Sequence, residues 1–342
     1  MTVGVAMAFG TTPVPDIASW ATACERAGAS SVWLGEAWRE LAVPLAATAQ
    51  ATEHAQVAAG VMQIFPAHPV IAALQAVQLQ ELSGDRFALG LGLGAGFVVE
   101  RWFGIHYDRP LARAREFIEV VRGAMASRRG EPFSYDGEIF KTRRYRMPFG
   151  AQTADVPILL AAVGPRMLEL AGEVADGVVL GALHSPEYLA EVRSRLALGA
   201  ERAGRDPGTL TVHAFVICAA DADPENARML ARASLAYSAQ YPHYRRRLID
   251  EGFGELGERI AERVRAHDQD AALDLVDDVM LDRFAIAGTP AECRDRLGRL
   301  TDEIDELKLT LVPFRIDETE AAARIVDAVA ATSPRPATVR RE

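Results

Sequence analysis

Short apolar runs alternate along this chain with stretches whose apolar positions recur every three to four residues. The runs VGVAMAF (3–9), SVWLGE (31–36), QVAAGVMQIF (56–65), DRFALGLGLG (85–94), VPILLAA (156–162), GVVLGA (177–182), LTVHAFVICAA (210–220) and LKLTLVPF (307–314) read as strands. Residues 16–28, 44–52, 69–84, 109–126 and 290–304 read as helices, the first of them stopped by Gly28. Residues 224–283 look helical throughout, and EPFSYDGEIFKTRRYRMPFG (131–150) has room for a hairpin. Near-continuous apolar strands separated by helices imply a parallel sheet covered on its outer face. Eight such units predict an α/β fold of the closed (β/α)8 TIM-barrel type, with an open doubly wound sheet as the competing architecture.

The rhythm breaks twice, after the fourth and seventh strands. The expected organisation is therefore a single barrel domain over 1–330, with insertions at about 97–155 and 221–285 on the C-terminal face. The Pro-rich, charged segment 331–342 is expected to be a flexible tail.

Composition narrows the class. Apolar residues make up 49% of the 342 and charged residues 25%, enough for a large core. A net charge of −10 argues against a nucleic-acid surface but leaves room for an anionic small molecule held by helix N-termini. Cys24, Cys218 and Cys293 are odd in number and far apart, which suits a reduced, cytoplasmic setting without a disulfide or zinc framework. No run approaches the ~20 apolar residues of a membrane span, and the N-terminus lacks a basic region before its apolar stretch.

Four segments carry candidate chemistry. GLGLGAG (90–96) formally fits a dinucleotide fingerprint through Gly90, Gly92 and Ala95, but FVVERWFG after it shows no clear helix with a small packing face. The favoured reading is a barrel strand whose glycines let backbone approach a planar ligand. At Gly164-Pro165 a strand turns straight into a helix, whose first N–H groups are free to meet an anion. In GVMQ (60–63) a glycine interrupts an apolar strand, the mark of a bulge, and Gln63 places an amide at the strand end. GEAW (35–38) puts Glu36 at the C-terminal end of a strand, where barrel enzymes keep their chemistry, with Trp38 able to pack on a flat ligand. The plainer alternatives are a solvated rim glutamate and a core tryptophan. His68 reads as a cap or packing residue, and the Arg143–Arg146 run as a solvated face within the first insertion.

Together AGASSVWLGEAW, AAGVMQIFPAHPVIAALQAVQLQELSGDRFALGLGLGAG and VPILLAAVGPRMLELAGEVADGVVLG resemble the luciferase-like superfamily. Within it they are most similar to the coenzyme F420-dependent oxidoreductases of the methylenetetrahydromethanopterin reductase type. The resemblance covers nearly the whole chain except about 224–280. It implies a barrel holding a deazaflavin or flavin at its mouth, with a non-prolyl cis bond at Gly60-Val61 under the ring. It also implies that Glu36 and Gln63 touch the ring and that Ala161, Ala162, Val163, Gly164 and Gly181 lie along its phosphate-bearing tail. Glu100 falls near a polar cofactor contact of relatives, and Trp38 and Phe97 wall the substrate pocket.

Three positions depart from relatives that act on sugars or alcohols, where acids or a histidine stand in place of Ala6, Ala37 and Phe97. The resulting expectation is an F420-dependent oxidoreductase that transfers hydride to or from a small organic substrate, with Glu36 handling a proton or orienting the ring. The alternatives are an FMN-dependent monooxygenase and a cofactor-binding protein without catalysis. Resemblance further implies a homodimer.

Overall fold

The computed structural model describes residues 2–298 and 303–332. Eleven strands are present among them: β1 (Thr2–Met7), β2 (Ser31–Leu34), β3 (Gln56–Gln63), β4 (Phe87–Gly92), β5 (Phe133–Asp136), β6 (Lys141–Tyr145), β7 (Ile158–Ala161), β8 (Gly177–Leu180), β9 (Thr211–Ala220), β10 (Ala285–Gly288) and β11 (Glu306–Thr310). Eight of these close a ring in the order β1-β2-β3-β4-β7-β8-β9-β11, every pairing parallel. The β8–β9 pairing closes the cylinder and excludes the open sheet. The fold is a (β/α)8 barrel, and its eight strands are the eight apolar runs of the sequence.

Some local features differ from the sequence reading. β10 was not expected; it is four residues long and follows the helix Asp278–Phe284 without a turn signal. β9 runs over ten residues, as the apolar run 210–220 led one to expect, and its Cys218–Ala220 continue past the pairing with β11 to pair with β10. The stretch after Gly94 is a helix, Gly96–Phe103, rather than an irregular loop. β5 and β6 form the antiparallel hairpin, joined to the barrel through the long helix Pro110–Ala126. The helix expected over 290–304 runs Pro290–Leu297, and its residues 299–302 lie outside the described residues, as does the tail from 333 onward.

Inside the ring, Trp33 is fully buried among Ala6, Ala58, Ala88, Leu159 and Val179. Alanines on neighbouring strands leave the width an indole needs, a large-against-small fit common in barrel interiors. Toward the N-terminal end the interior turns polar. The fully buried Lys308 donates to Glu306 Oε2 at 2.5 Å and lies 2.9 Å from His213 Nδ1 and 4.7 Å from the Trp33 ring. Ser30 and Ser31 donate their hydroxyls to Glu306 Oε1, and Trp33 Nε1 donates to Ser31 Oγ at 2.9 Å. Burial alone would raise the Glu306 pKa, but His213, Lys308 and Ser30 outweigh it and hold the carboxyl well below its usual range. Burial pushes Lys308 down to about 8 against the pull of Glu306. Gly4 has no room for a side chain here, since a Cβ would stand 2.1 Å from Ser31 Oγ. The plug satisfies its polar groups from within, as buried charges require.

Candidate active site

The opposite, C-terminal end holds a cavity of about 710 Å³. Its base forms where the ends of β2 and β3 clasp each other. Gln63 donates its backbone N–H to Glu36 Oε2 at 2.5 Å and its side-chain amide to the Glu36 carbonyl at 3.1 Å. Glu36 N–H in turn reaches the Val61 carbonyl at 3.4 Å. Burial raises the Glu36 pKa to about 7, in spite of the Gln63 N–H, and the Glu40 charge adds to the rise. A carboxyl so placed exchanges protons near neutral pH.

The Gly60-Val61 peptide bond is cis, and the β3–β4 register shifts between Ala59 and Met62. The glycines of β4 make this possible. A Cβ on Gly90 would sit 2.1 Å from the Ala59 carbonyl, and one on Gly92 would sit 2.4 Å from Val61 Cγ2. The sequence reading gave those glycines to the approach of a ligand; the structure gives them first to the β3 bulge. Gly92 and Gly94 border the cavity and Gly90 does not.

Gln63 is only 6% exposed, and its Oε1 has no hydrogen-bond partner. Gly94, at φ +74°, leaves room for that oxygen: a Cβ there would stand 2.3 Å from it. An unpaired buried amide oxygen is costly, so this atom is an acceptor waiting for a donor.

On the far wall, β7 ends in Ala161, whose successors Ala162, Val163 and Gly164 also line the cavity. Gly164 is the N-cap of helix Pro165–Val174 and brings no capping side chain; nothing stands within 4 Å of where its Cβ would be. Val163 is held from behind by the Tyr188 hydroxyl, which donates to its carbonyl at 2.8 Å. Gly181 lines the cavity too, but Tyr244 is what requires its bare Cα, since a Cβ would meet the ring at 2.5 Å.

Trp38 and Phe97 stand at the mouth, 66% and 44% exposed. Trp38 packs on Trp102 with ring centroids 4.8 Å apart, and Phe97 stacks on Tyr241 at 6.4 Å. Glu100 is the one expected site residue absent from the cavity lining. At 100° per residue, the helix Gly96–Phe103 turns Phe97, Val98 and Trp102 inward and points Glu100 toward His106 and the Tyr107 N–H. The expected contact rested on resemblance to relatives alone.

The sequence reading missed the wall built by β9 and the helices that follow it. Phe215, Tyr237, Tyr241, His243 and Tyr244 all border the cavity. Three of the chain's seven tyrosines fall between 237 and 244, a clustering that could have signalled it. Arg247 anchors this wall: buried, it lies 3.5 Å over the Tyr188 ring and donates to Glu251 at 2.7 Å.

A closed parallel barrel with a cavity at the C-terminal ends of its strands places the chain in the (β/α)8 class, with its candidate site where such barrels carry theirs. The sequence profile of the luciferase-like monooxygenase family matches residues 1–304, and the chain belongs to that family. It is 34% identical over 297 residues to 5,10-methylenetetrahydromethanopterin reductase of Methanolobus tindarius, covering 85% of this chain and 88% of that one. Its fold is similar to coenzyme F420-dependent tetrahydromethanopterin reductase of Methanopyrus kandleri, with TM-score 0.82, 24% identity and coverage of 95% and 96% of the two chains. It is also similar to the oxygenating constituent of 3,6-diketocamphane monooxygenase of Pseudomonas putida, solved with FMN, with TM-score 0.69, 17% identity and 97% of each chain covered. No helix among the described residues is long and apolar enough to cross a membrane.

Proposed function

We propose that the cavity holds coenzyme F420 and that the protein is an oxidoreductase acting through it on a small organic substrate. The observation that carries this reading is the orphaned Gln63 Oε1, a buried acceptor at the base of a slot kept open by Gly92 and Gly94. It suits a ring that presents an N–H at its edge. When bound, the deazaflavin would supply the hydride chemistry, and the protein supplies orientation and polar contacts.

Gly60, Val61 and Gln63 would support the ring. The backbone from Ala161 to Gly164 and the uncapped start of helix Pro165–Val174 would hold the phosphate-bearing tail, since helix N-termini attract anions. Glu36, with its pKa near 7, gives or takes the proton that accompanies hydride transfer. Trp38 and Phe97 keep water from the reacting face. A homodimer belongs to the same proposal, by likeness to relatives.

Titration of the purified protein with F420 and with FMN, followed by fluorescence, tests the reading. F420 should bind, and Gln63→Leu should weaken it by about tenfold or more, as expected for losing a hydrogen bond to a buried acceptor. Tight FMN binding with no F420 binding overturns the assignment in favour of an FMN enzyme.

A further inference from the structure

The aromatic part of the cavity has a chemistry of its own. Three separate segments bring aromatic rings to it: Trp38 in the connection after β2, Phe97 and Trp102 on the helix Gly96–Phe103 after β4, and Tyr241 between the helices Pro224–Ala239 and Pro242–Asp250 that follow β9. These rings pair as Trp38–Trp102, tilted by 34°, and Phe97–Tyr241, stacked at 29°. Trp38, Phe97 and Trp102 remain 66%, 44% and 48% exposed, so the hydrophobic core does not account for them. Large apolar rings gathered at a cavity mouth mark a binding surface.

Charge is almost missing from the same place. Among the described residues no lysine or arginine lines the cavity, and Glu36 is the one carboxylate that does. Two cationic side chains next to lining residues are committed elsewhere: Arg39 donates to the Gly10 and Thr12 carbonyls, and Arg245 pairs with Glu258. A carboxylate or phosphate bound between these rings would lose its water, gain no counter-ion and face Glu36. Flat apolar surface, in contrast, finds aromatic faces on two sides.

We propose that the substrate half of the cavity takes a flat, uncharged ring compound, selected by the Trp38–Trp102 and Phe97–Tyr241 pairs. This rests on the F420 reading for the reaction that follows, but binding itself is measurable without the coenzyme.

The test uses three probes of one shape: quinolin-2-one, its 4-carboxylate and the N-methylquinolinium cation, titrated by calorimetry and by tryptophan fluorescence. Trp20 and Trp33 are buried, so quenching reports on Trp38 and Trp102. The neutral probe should bind about tenfold or more tighter than either charged one. Replacing Phe97→Ala together with Trp102→Ala should weaken it by about tenfold with unchanged circular dichroism. If that variant unfolds, Phe97→Leu with Trp102→Leu is read instead. Equal or tighter binding of a charged probe, or a neutral probe indifferent to both variants, overturns the proposal. F420 binding is followed separately by its own fluorescence. Its failure beside selective neutral binding removes the coenzyme and leaves this inference standing; F420 binding beside preference for a charged probe does the reverse.

Discussion

The N-terminal end of the barrel is filled by Lys308, Glu306, His213 and Ser31, whose polar atoms find partners within the plug, and Gly4 is bare because Ser31 needs its space. At the C-terminal end Gly94 is bare beside Gln63 Oε1, which has no partner at all, and an open cavity lies beyond. The same eight strands thus run from an interior that has satisfied itself to one that has not. Glycine serves both ends, with opposite results: below, it admits a side chain that finds its partners, and above, it admits a buried acceptor that has none. A satisfied polar cluster signifies structure, and an unsatisfied one signifies something still to bind.

The largest effect should come from breaking the plug. Lys308→Met strands the Glu306 carboxylate inside the barrel and should destabilise the protein by about 3–5 kcal/mol in urea unfolding. Lys308→Met with Glu306→Gln should recover much of that loss, because no buried charge is then left unpaired. Neither change alters the lining of the cavity.

Next comes the slot itself. A side chain on Gly92 would collide with Val61 Cγ2, and Gly92→Val should weaken F420 binding by about a hundredfold while lowering stability by roughly 1–3 kcal/mol. A stability loss with intact binding would show that Gly92 serves only the β3 bulge.

Smaller still is the pH effect of Glu36. Its folded pKa, about 7, lies above the ordinary 4.5, so the folded state is disfavoured as pH rises from the lower value through the upper one. Glu36→Gln removes that penalty and still accepts the Gln63 N–H. It should stabilise the protein by roughly 2 kcal/mol at pH 8 and by nothing at pH 4, measured by melting at both. The same variant should flatten the pH profile of turnover near neutrality. Least of all, Phe97→Ala should change stability by no more than about 1 kcal/mol, because its half-exposed ring stacks on Tyr241 at the rim and lies outside the core.

How much of this was legible in the chain depends on the kind of signal. The eight ring strands announced themselves because each is an apolar run flanked by helical periodicity. β10 did not, since AIAG follows a helix directly and is too short to show alternation. Helix Gly96–Phe103 was hidden by its glycine start and its adjacent valines, both weak helix formers. Glu36, Gly60, Val61 and Gln63 came from resemblance, and the structure brings them into one cavity wall. The tyrosine wall lay inside a stretch that read only as Arg- and Glu-rich helices. The plug was in principle readable: in ELKLT, residues 306 and 308 share one face of a strand, and two charges on the inner face of a barrel must meet.

One contact sets the order in which the mouth is finished. Glu318 accepts the backbone N–H groups of Gly10, Thr11 and Thr12, with the Thr12 hydroxyl, at 2.7–3.0 Å across 306–308 residues of chain. That loop is also where Trp38 leans, its ring within 3.0 Å of the place a Gly10 Cβ would occupy. During synthesis the first loop therefore waits for the helix Glu318–Thr332, and a nascent chain carrying every strand of the barrel still lacks the carboxylate that fastens the loop Trp38 leans on.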